Sequence, residues 1–484
     1  MQRVLGRNLL LVVAGFLVTT VSAAGQGRQP AARPNVLFIA VDDLNDWVTC
    51  LGGQPQAKTP NIDRLAQRGV LFTRAYCPAP ACNPSRVALL TGLSPATTGV
   101  YHNNQPWRPV PLLKDAVTLP QHFMKGGYHV AGAGKIFHGA YDDRASWHDY
   151  RKPARAAADP NRPARLPAPS GRAGGITWGA VDVSDDEMED HHSVSWTIAQ
   201  LRETKRDTPF FLACGLHKPH MPWQVPQKYF DLYPLDSVQL PNVPHDDLKD
   251  VPPAGVNIAR PNGDHANVLR TNTWRNAVQA YLACISYADA EIGRLLDALD
   301  ADPALRDNTV VVLWGDHGWH LGEKHHWRKF ALWEEATRTP LVVAGPGVAA
   351  GARCDRTVSL LDLYPTLLDV CALPPRPGLE GHSLRPLLKD PAAPWPHPAV
   401  TTHGRGNHAV RTERWRYIRY ADGSEELYDH AADPNEWTNL AADPKLKNVR
   451  TELASALPKK DAPDAPTNQP RRAGRRNAGA ATRD

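Results

Sequence analysis

Two pairs of adjacent polar residues follow short apolar runs of the sequence. Asp42 and Asp43 follow VLFIAV, and Asp316 and His317 follow TVVVLW across one glycine. Adjacent carboxylates repel each other unless a cation lies between them, and three carboxylates with few soft ligands favour a hard divalent cation, calcium or magnesium. An Asp-Asp pair at a strand end can also form a turn or cap a helix. Because two such clusters occur, the metal site is the favoured interpretation.

Cys82 lies beside an anion-binding pattern in the stretch YCPAPACNPSRVALLTG. Asn83 is a favoured helix cap, Pro84 suits the first helical position, and Gly92 ends the predicted helix. Backbone N–H groups at a helix start attract anions, and Arg86 adds a planar fork of donors suited to sulfate or phosphate. A buried structural cysteine would explain the thiol but not the cap or the arginine. We therefore predict an oxyanion site at residue 82.

Basic and imidazole side chains could form a cationic rim around that anion. Lys135 and His138 lie in GAGKIFHG, His217 and His220 follow the apolar run PFFLACG, and Lys329 follows HLGEKHHW. Each one alone would be an ordinary surface residue. Together, and with glycines that let the backbone approach a ligand closely, they predict a site for an anionic group.

Strands that alternate with helices must position these residues. Apolar runs too short for helices predict buried strands, and RNAVQAYLACISYADAEIGRLLDAL predicts an amphipathic helix with Tyr281, Ile285 and Leu295 on one face. This alternation is typical of an α/β fold with a large, mostly parallel sheet flanked by helices. Sites in such sheets form at the carboxyl ends of the strands, so the clusters should converge.

The pattern changes in the last quarter of the chain. AVRTERWRYIRYADGSEELYDH predicts antiparallel strands with a turn at Asp422 and Gly423. We therefore predict a catalytic domain over residues 34–388 and a smaller C-terminal α+β subdomain over residues 389–458. The Pro-, Ala- and Arg-rich residues 152–175 predict a long surface loop.

The two ends of the chain predict an export signal and a disordered tail. Arg3 and Arg7 precede the apolar run LLLVVAGFLVTTV and the small residues VSAAG, which is typical of a secretory signal peptide over residues 1–24. That run is shorter than the roughly 20 apolar residues of a membrane span, so we expect a periplasmic or secreted protein without an integral membrane segment. Residues 459–484 carry seven basic and three acidic side chains and no large apolar one, which predicts a disordered basic tail.

Charge and cysteine content limit the possible partners. The formal net charge is +5, and the tail holds +4 of it (seven minus three), so the rest is almost neutral and no nucleic-acid partner is expected. Export permits disulfides, but the seven cysteines are an odd number and leave at least one unpaired. Cys82 is the candidate for a free thiol, and the pairing of the others stays open.

Five sequence blocks resemble the type I sulfatase family, the formylglycine-dependent branch of the alkaline-phosphatase-like superfamily. CNPSR is similar to the family's Cys-x-Pro-x-Arg signature, and VDDLN, GKIFH, HKPH and DHGWHLGE resemble its other blocks in the same order. The resemblance runs from about Pro34 to Leu440. Within the family it is greatest to the iduronate-2-sulfatase-like bacterial sulfatases.

The resemblance implies a calcium- and formylglycine-dependent sulfatase. Cys82 would be oxidised to formylglycine by a formylglycine-generating or other sulfatase-maturing enzyme. One calcium ion would be held by modified residue 82 together with Asp42, Asp43, Asp316 and His317, although some relatives have asparagine at the last position.

The resemblance also implies roles for the cationic rim. Arg86 would help to polarise the nucleophile, and Lys135 and Lys329 would spread the charge of the sulfate oxygens. His217 would protonate the leaving alcohol, and His138 would accept a proton when sulfate is released.

The substrate implied by the resemblance is a sulfated carbohydrate, and Trp107, His220 and Trp319 are candidates to contact it. Aromatic residues near a pocket are also common in packing. Two other functions stay open: a formylglycine phosphonate or phosphate monoester hydrolase, and a non-catalytic sulfated-glycan binding protein. The sugar, the sulfate position, exo or endo action, and the oligomeric state are not indicated by the sequence.

Overall fold

The structure is a computed structural model that describes residues 33–152, 166–203 and 207–467. The predicted signal peptide over residues 1–24 lies outside the described residues. The strands, numbered along the chain, are β1 Asn35–Val41, β2 Gly69–Tyr76, β3 His129–Gly134, β4 Asp149–Arg151, β5 Gly171–Ala173, β6 Ile176–Trp178, β7 Phe210–Leu216, β8 Thr309–Gly315, β9 His320–Leu321, β10 Trp327–Arg328, β11 Leu341–Ala344, β12 Ala352–Ser359, β13 Ala399–Thr402, β14 His408–Arg411, β15 Trp415–Arg419 and β16 Glu425–Asp429.

Helices separate most of these strands, as the sequence predicts. They are α1 Pro60–Arg68, α2 Cys82–Thr91, α3 Pro95–Thr98, α4 Leu119–Lys125, α5 Glu189–Glu203, α6 Gln227–Phe230, α7 Pro253–Ala259, α8 Asp264–Arg270, α9 Trp274–Asp300, α10 Pro303–Asp307, α11 Glu334–Thr337, α12 Leu363–Val370, α13 Arg385–Lys389 and α14 Lys447–Ser455.

Eight strands form one mixed sheet in the order β12-β2-β11-β8-β1-β7-β3-β4. The central strand β1 is parallel to both β7 and β8, and β3 is parallel to β7. Strand β11 is antiparallel to β2 and to β8. The predicted large, mostly parallel sheet is therefore confirmed.

Both faces of the sheet are covered, which explains why β1 is apolar at every position after its first. Leu37, Ile39 and Val41 belong to one core cluster, together with the buried residues of α9. Phe38 and its neighbours on the opposite face belong to a second core cluster with α2, α4 and α12. The predicted face of α9 is confirmed, since Ile285 and the other residues of that stripe are at most 1% exposed.

Strand register brings the predicted site residues to one edge of the sheet. Val41 lies opposite Leu216 of β7 and Gly315 of β8, and Gly134 of β3 lies opposite Gly215. Because these four strands are parallel, the polar residues that follow each of them emerge side by side.

A four-stranded antiparallel sheet in the order β13-β14-β15-β16 follows, which confirms the antiparallel strands predicted there. The turn between β15 and β16 contains Gly423, whose φ of 86° suits glycine. Tyr417 and Leu427 of this sheet pack with Leu453 of α14. The boundary predicted at residue 389 stays a prediction.

Two predictions about loops need correction. Residues 171–178, partly inside the predicted surface loop, form the antiparallel hairpin β5–β6, and residues 153–165 lie outside the described residues. The predicted disordered tail is wrong at its start, because Ala462 N donates to the carbonyl of Ala96 at 2.7 Å and Ala465 N to that of Gly99 at 2.8 Å. The tail beyond Thr467 lies outside the described residues.

All seven cysteines carry free thiols in the structure. In the described part of the chain, none of the helices combines the length and apolar character that crossing a bilayer requires.

Candidate active site

The loops after β1, β3 and β8 meet the first turn of α2 at the carboxyl edge of the large sheet. Asp42, Asp43, Cys82, Asp316 and His317 are each 0% exposed there. The structure thus brings together the two carboxylate clusters and the cysteine that lie far apart in the sequence. Asp43 has a φ of 60°, and its amide donates to Oδ1 of Asp316 at 3.1 Å.

Arg86 joins the two carboxylate clusters. Its Nε donates to Oδ2 of Asp316 at 2.8 Å and its Nη2 to Oδ1 of Asp42 at 3.1 Å. Its Nη1 donates to the carbonyl oxygens of Lys135 and Ile136. The expected role of Arg86 therefore changes, since most of its donors bind protein carboxylates and carbonyls and not a free anion.

Cys82 is the first residue of α2, two positions before the predicted helix start. Asn83 is not the cap: its side chain donates to the carbonyls of His102 and Gln105 at 3.0 and 2.8 Å and so fixes a neighbouring loop. Gly92 ends the helix as predicted, with a φ of 73°. The start of α2 therefore holds the Cys82 side chain among the charged groups of the site.

Four side chains surround the sulfur of Cys82. Nζ of Lys329 lies 3.0 Å away, Nε2 of His317 3.3 Å, and Nζ of Lys135 and Oδ1 of Asp43 each 3.8 Å. Burial, with the nearby charge of Asp42, raises the pKa of the thiol well above its ordinary value. The unmodified side chain is therefore a neutral thiol and a poor nucleophile.

The lysines neutralise part of the carboxylate charge. Lys329 pairs with Oδ1 of Asp43 at 2.8 Å, and Lys135 pairs with Asp42. Burial opposes ionisation of Asp42, but the charge of Lys135 leads a set of cations that hold its pKa well below the ordinary value. For Asp43 and Asp316 burial outweighs the nearby cations and raises the pKa. Three carboxylates thus face three cations, Lys135, Lys329 and Arg86, and burial is what raises the pKa of Asp43 and Asp316.

The four predicted histidines all lie at or beside the cluster. Nδ1 of His317 lies 3.0 Å from the carbonyl of Gly318 and therefore carries a proton, while Nε2 faces the sulfur of Cys82. His220 has the same arrangement, with Nδ1 2.6 Å from the carbonyl of Met221 and Nε2 3.9 Å from Oδ2 of Asp43.

His217 and His138 lie at the rim and are partly exposed. The His217 ring centroid is 4.8 Å from that of His220. Burial, with the charges of His220 and Lys135, lowers the pKa of His217 well below its ordinary value. Burial and Lys135 do the same to the pKa of His138. Both rings are therefore neutral at neutral pH, and each can accept a proton.

The cluster fits a hard cation. Ligand atoms of Asp42, Cys82, Asp316 and His317 lie within 4.8 Å of one another, and so do those of Asp42, Asp43, Cys82 and His220. Oδ2 of Asp43 is buried and, within the described part of the chain, has no hydrogen-bond partner. A buried carboxylate oxygen without a donor is costly, and a divalent cation held by oxygen ligands would satisfy it.

The predicted aromatic contacts to substrate are not supported. Trp107 is 1% exposed, donates to the carbonyl of Tyr141 at 2.9 Å and stacks on Phe137. Trp319 is 0% exposed and packs edge-on against Trp223, with Nζ of Lys329 5.5 Å from its ring. Both rings are core residues and present no face to a sugar. Of the three predicted contacts, only His220 is both at the site and partly exposed.

Two residues that support the site were not predicted from the sequence. The hydroxyl of Tyr281 donates to the carbonyl of Asp43 at 2.7 Å and accepts from the amide of Asn45 at 3.1 Å. Asp190 accepts from the amides of His217 and Lys218 at 2.7 and 2.8 Å. Neither residue belongs to one of the sequence motifs that indicate chemistry.

Comparison with known proteins identifies this arrangement. The family model described as Sulfatase matches residues 34–372. The chain belongs to the sulfatase family. A second family model, N-sulphoglucosamine sulphohydrolase C-terminal, matches residues 322–462. The resemblance seen in the sequence is therefore confirmed, and the chain is by class a sulfuric ester hydrolase.

Curated sulfatases are similar over most of this chain. A sulfatase of Formosa agariphila is 41% identical over 479 residues, covering 96% of this chain and 94% of its own. Iduronate 2-sulfatase of Mus musculus is 33% identical over 417 residues, covering 76% of this chain and 74% of its own.

Solved structures share the fold. The phosphonate monoester hydrolase of Agrobacterium radiobacter has a TM-score of 0.73 and 25% identity, covering 87% of this chain and 94% of its own. A 2-O GAG sulfatase has a TM-score of 0.68 and 26% identity, covering 87% and 90%. The predicted alkaline-phosphatase/sulfatase-like fold class is therefore confirmed.

Proposed function

We propose that this sulfatase removes sulfate from a sulfated carbohydrate, in the manner of iduronate 2-sulfatase, through formylglycine at position 82 and one calcium ion. The observation that carries the proposal is the environment of Cys82. Its side chain starts a buried helix and is surrounded by two lysines, a histidine and Asp43, with ligand atoms of Asp42 and Asp316 within 4.8 Å. A neutral thiol has no evident use in such surroundings.

Residue 82 supplies the nucleophile once a sulfatase-maturing enzyme has oxidised it. A hydrated formylglycine offers one hydroxyl for attack on sulfur and a second whose deprotonation lets sulfate leave. The replacement of sulfur by oxygen also changes the ligand set from mixed to hard, which suits calcium better than zinc.

Asp42, Asp43, Asp316 and His317, with the oxygen of modified residue 82, are the proposed ligands of the calcium ion. A bound divalent cation in such a site lowers the pKa of a hydroxyl near it and offsets negative charge. Arg86 orients Asp42 and Asp316 through its hydrogen bonds to both, and its charge favours their ionised forms.

The remaining residues bind the sulfate group and move protons. Lys135 and Lys329 have ammonium groups within 3.8 and 3.0 Å of the residue-82 side chain, where they would stabilise charge on sulfate oxygens. His217 is proposed to protonate the leaving alcohol, for which its neutral ring must first take up a proton from solvent, and the negative charge of a bound sulfate ester would favour that protonation. His138 is proposed to take the proton from the second hydroxyl, since its lowered pKa leaves the ring neutral and therefore free to accept a proton.

The names of the relatives support a sulfated-glycan substrate. The similar proteins include iduronate 2-sulfatase of Mus musculus and a 2-O GAG sulfatase. We propose on that basis a sulfated sugar with a 2-O-sulfated unit as the first substrate to test. The signal peptide predicted over residues 1–24 supports a periplasmic or secreted location.

A second candidate function is supported by the likeness to the phosphonate monoester hydrolase of Agrobacterium radiobacter. Phosphonate monoesters and sulfate monoesters are both tetrahedral anions, and the same cationic groups could bind either one. The third possibility, a binding protein without activity, would need residue 82 to remain a cysteine.

The test compares matched substrates on the mature protein. An aryl sulfate, the corresponding aryl phenylphosphonate and 2-O-sulfated uronic acid disaccharides are assayed with protein co-expressed with a maturing enzyme. The expected result is release of sulfate with a kcat/KM above that for the phosphonate. A higher kcat/KM for the phosphonate would support the second function, and no turnover of any ester by fully modified protein would support the binding protein.

A further inference from the structure

The loop that carries His217 and His220 is held by a buried carboxylate. Asp190, in the first turn of α5, is 3% exposed. Its Oδ1 accepts from the amide of His217 at 2.7 Å, and its Oδ2 accepts from the amide of Lys218 at 2.8 Å. Both oxygens of one carboxylate are therefore used on the backbone of the two residues that follow β7.

The other end of this loop is held by Lys218. Its Nζ donates to the carbonyl of His220 at 3.3 Å and also to that of Pro222. The side chain of Lys218 is buried with the loop, since the residue is 6% exposed. Asp190 and Lys218 thus fix the backbone on both sides of the pair of imidazoles.

Rigid placement matters for an acid that must reach the leaving oxygen. Proton transfer needs a donor and an acceptor within hydrogen-bond distance in the transition state, and a displacement of about 1 Å can lower the rate on the order of 10²-fold. Among the described residues, the ring of His220 is the ring contact that the His217 side chain makes, at 4.8 Å between centroids, so the position of the His217 ring depends on the backbone that carries it.

We propose that Asp190 is a positioning residue that aims His217 at the leaving-group oxygen of the substrate. The proposal rests on the proposed function of His217 as the proton donor. A charge-assisted bond from each of two amides is stronger than a neutral one, so the carboxylate sets the backbone from which the imidazole projects. Asp190 itself contacts neither sulfate nor sugar.

A purely structural role for Asp190 is the competing explanation, and the chain offers a matched control for it. Asp289 on α9 is 2% exposed and accepts from the amides of Ile62 and Asn61 at 2.8 and 3.1 Å. It therefore makes the same kind of carboxylate-to-amide bonds, but at the start of α1. Asp289→Asn removes an equivalent buried charge without touching the loop of His217.

The experiment measures kcat for a series of aryl sulfates whose leaving phenols span a wide range of pKa. The enzymes are the wild type, Asp190→Asn, Asp289→Asn and His217→Gln, each fully modified at residue 82. We expect His217→Gln to lose on the order of 10²-fold or more with poor leaving groups and little with 4-nitrophenyl sulfate. Asp190→Asn should also show a steeper dependence of log kcat on the pKa of the leaving phenol than the wild type does, with a loss of about tenfold for the poorest leaving group. Asp289→Asn should keep the wild-type slope of log kcat against leaving-group pKa.

The outcomes separate the two proposals. If His217→Gln loses activity equally with every leaving group, His217 is not the donor and both proposals fail. If His217→Gln behaves as expected but Asp190→Asn loses the same factor with every leaving group, or keeps the wild-type slope, the positioning role of Asp190 is wrong while the role of His217 stands. Should Asp190→Asn fail to fold, Asp190→Glu keeps the charge but displaces the two amides, and it is read in the same series with the same criteria.

Discussion

The ammonium group of Lys329 lies 3.0 Å from the sulfur of Cys82 and 2.8 Å from Oδ1 of Asp43. Both lysine and cysteine are 0% exposed. A buried cation at this distance stabilises any negative charge that forms on the side chain of residue 82 or on an oxygen bound to it. Because the thiol itself is held neutral, this arrangement suits an oxygen nucleophile at that position.

We predict that the active protein carries formylglycine at position 82. Trypsin cleavage after Arg74 and Arg86 places Cys77 and Cys82 in one peptide, so Cys77 is an internal control. Mass analysis after thiol alkylation should find Cys77 alkylated and residue 82 as an aldehyde. Cys82→Ala should fold normally and lose turnover, and Cys82→Ser should lose steady-state turnover because a serine ester lacks the second hydroxyl that releases sulfate. A fully active enzyme with both cysteines alkylated would contradict the mechanism.

We predict that Asp316→Ala loses calcium and turnover together. The substitution removes a carboxylate from a hard-ion site, and with it both charge and a ligand. The protein should remain folded, because Arg86 keeps its bonds to Asp42 and to two carbonyl groups. Calcium per chain, measured on the purified variant by elemental analysis, should fall from about one to near zero.

A second cluster provides the control for that measurement. Ligand atoms of Glu334, His430 and Glu436 also lie within 4.8 Å of one another, but Arg416 pairs with both glutamates. Because an arginine already neutralises this second cluster, we expect no metal there. The Glu436→Gln variant should therefore keep the calcium ion bound at the Asp316 site. Calcium that is lost in Glu436→Gln and kept in Asp316→Ala would place the ion at the second cluster.

The sequence predicted most of the site because the fold converts apolar runs into parallel strands with a common edge. Asp42, Asp316 and Lys135 each follow such a run, and strand register makes them neighbours. The direction of β11 was not predictable in the same way, since a four-residue apolar run reads alike in a parallel and an antiparallel strand.

Side-chain direction was the less predictable part. Trp107 and Trp319 stand next to site residues in the sequence, yet both rings point into the core, because residue type does not tell which side of a loop a ring occupies. The donors of Arg86 similarly turned out to bind carboxylates. The sequence around Asp190 did not indicate its proposed positioning role, since that role depends on a contact with a loop distant in the sequence.

We predict that stability depends on pH through Asp362, which is far from the site in sequence and 4% exposed. Burial raises its pKa from 3.8 to about 7, although the amides of His382 and Ser359 oppose the shift. The folded state therefore holds this proton more tightly than the unfolded state. The contribution of the protonated Asp362 carboxyl to the free energy of unfolding is fully present below about pH 4 and is lost as the pH rises toward 7.

Asp362→Asn removes this dependence, because asparagine does not titrate. The free energy of unfolding of the wild type minus that of the variant should be larger at pH 5 than at pH 8, by a few kcal/mol at most, since one pKa unit corresponds to about 1.4 kcal/mol. Urea unfolding of both proteins at the two pH values measures the difference. A gap that is equal at both, or larger at pH 8, would contradict the assignment.

We predict that, of the residues after Pro458, only those up to Thr467 contribute to the stability of the fold. Ala462 and Ala465 donate to the carbonyls of Ala96 and Gly99, and their own carbonyls accept from Tyr101 at 2.9 Å and Gln105 at 2.9 Å. Ala465 is 6% exposed. These contacts fix the loop after α3, which lies just beyond the helix that Cys82 begins.

Two truncations separate the parts of this region. Ending the chain after Pro458 removes the four hydrogen bonds and should lower the melting temperature by a few degrees, because each bond contributes on the order of 1 kcal/mol. Ending it after Thr467 keeps those bonds and removes only polar and small residues, so the melting temperature should not change. Turnover of a soluble sulfate ester should persist in both, since no group of the site is removed. Equal melting temperatures for the full chain and the chain that ends at Pro458 would mean that the pairing of residues 462–465 adds nothing to stability.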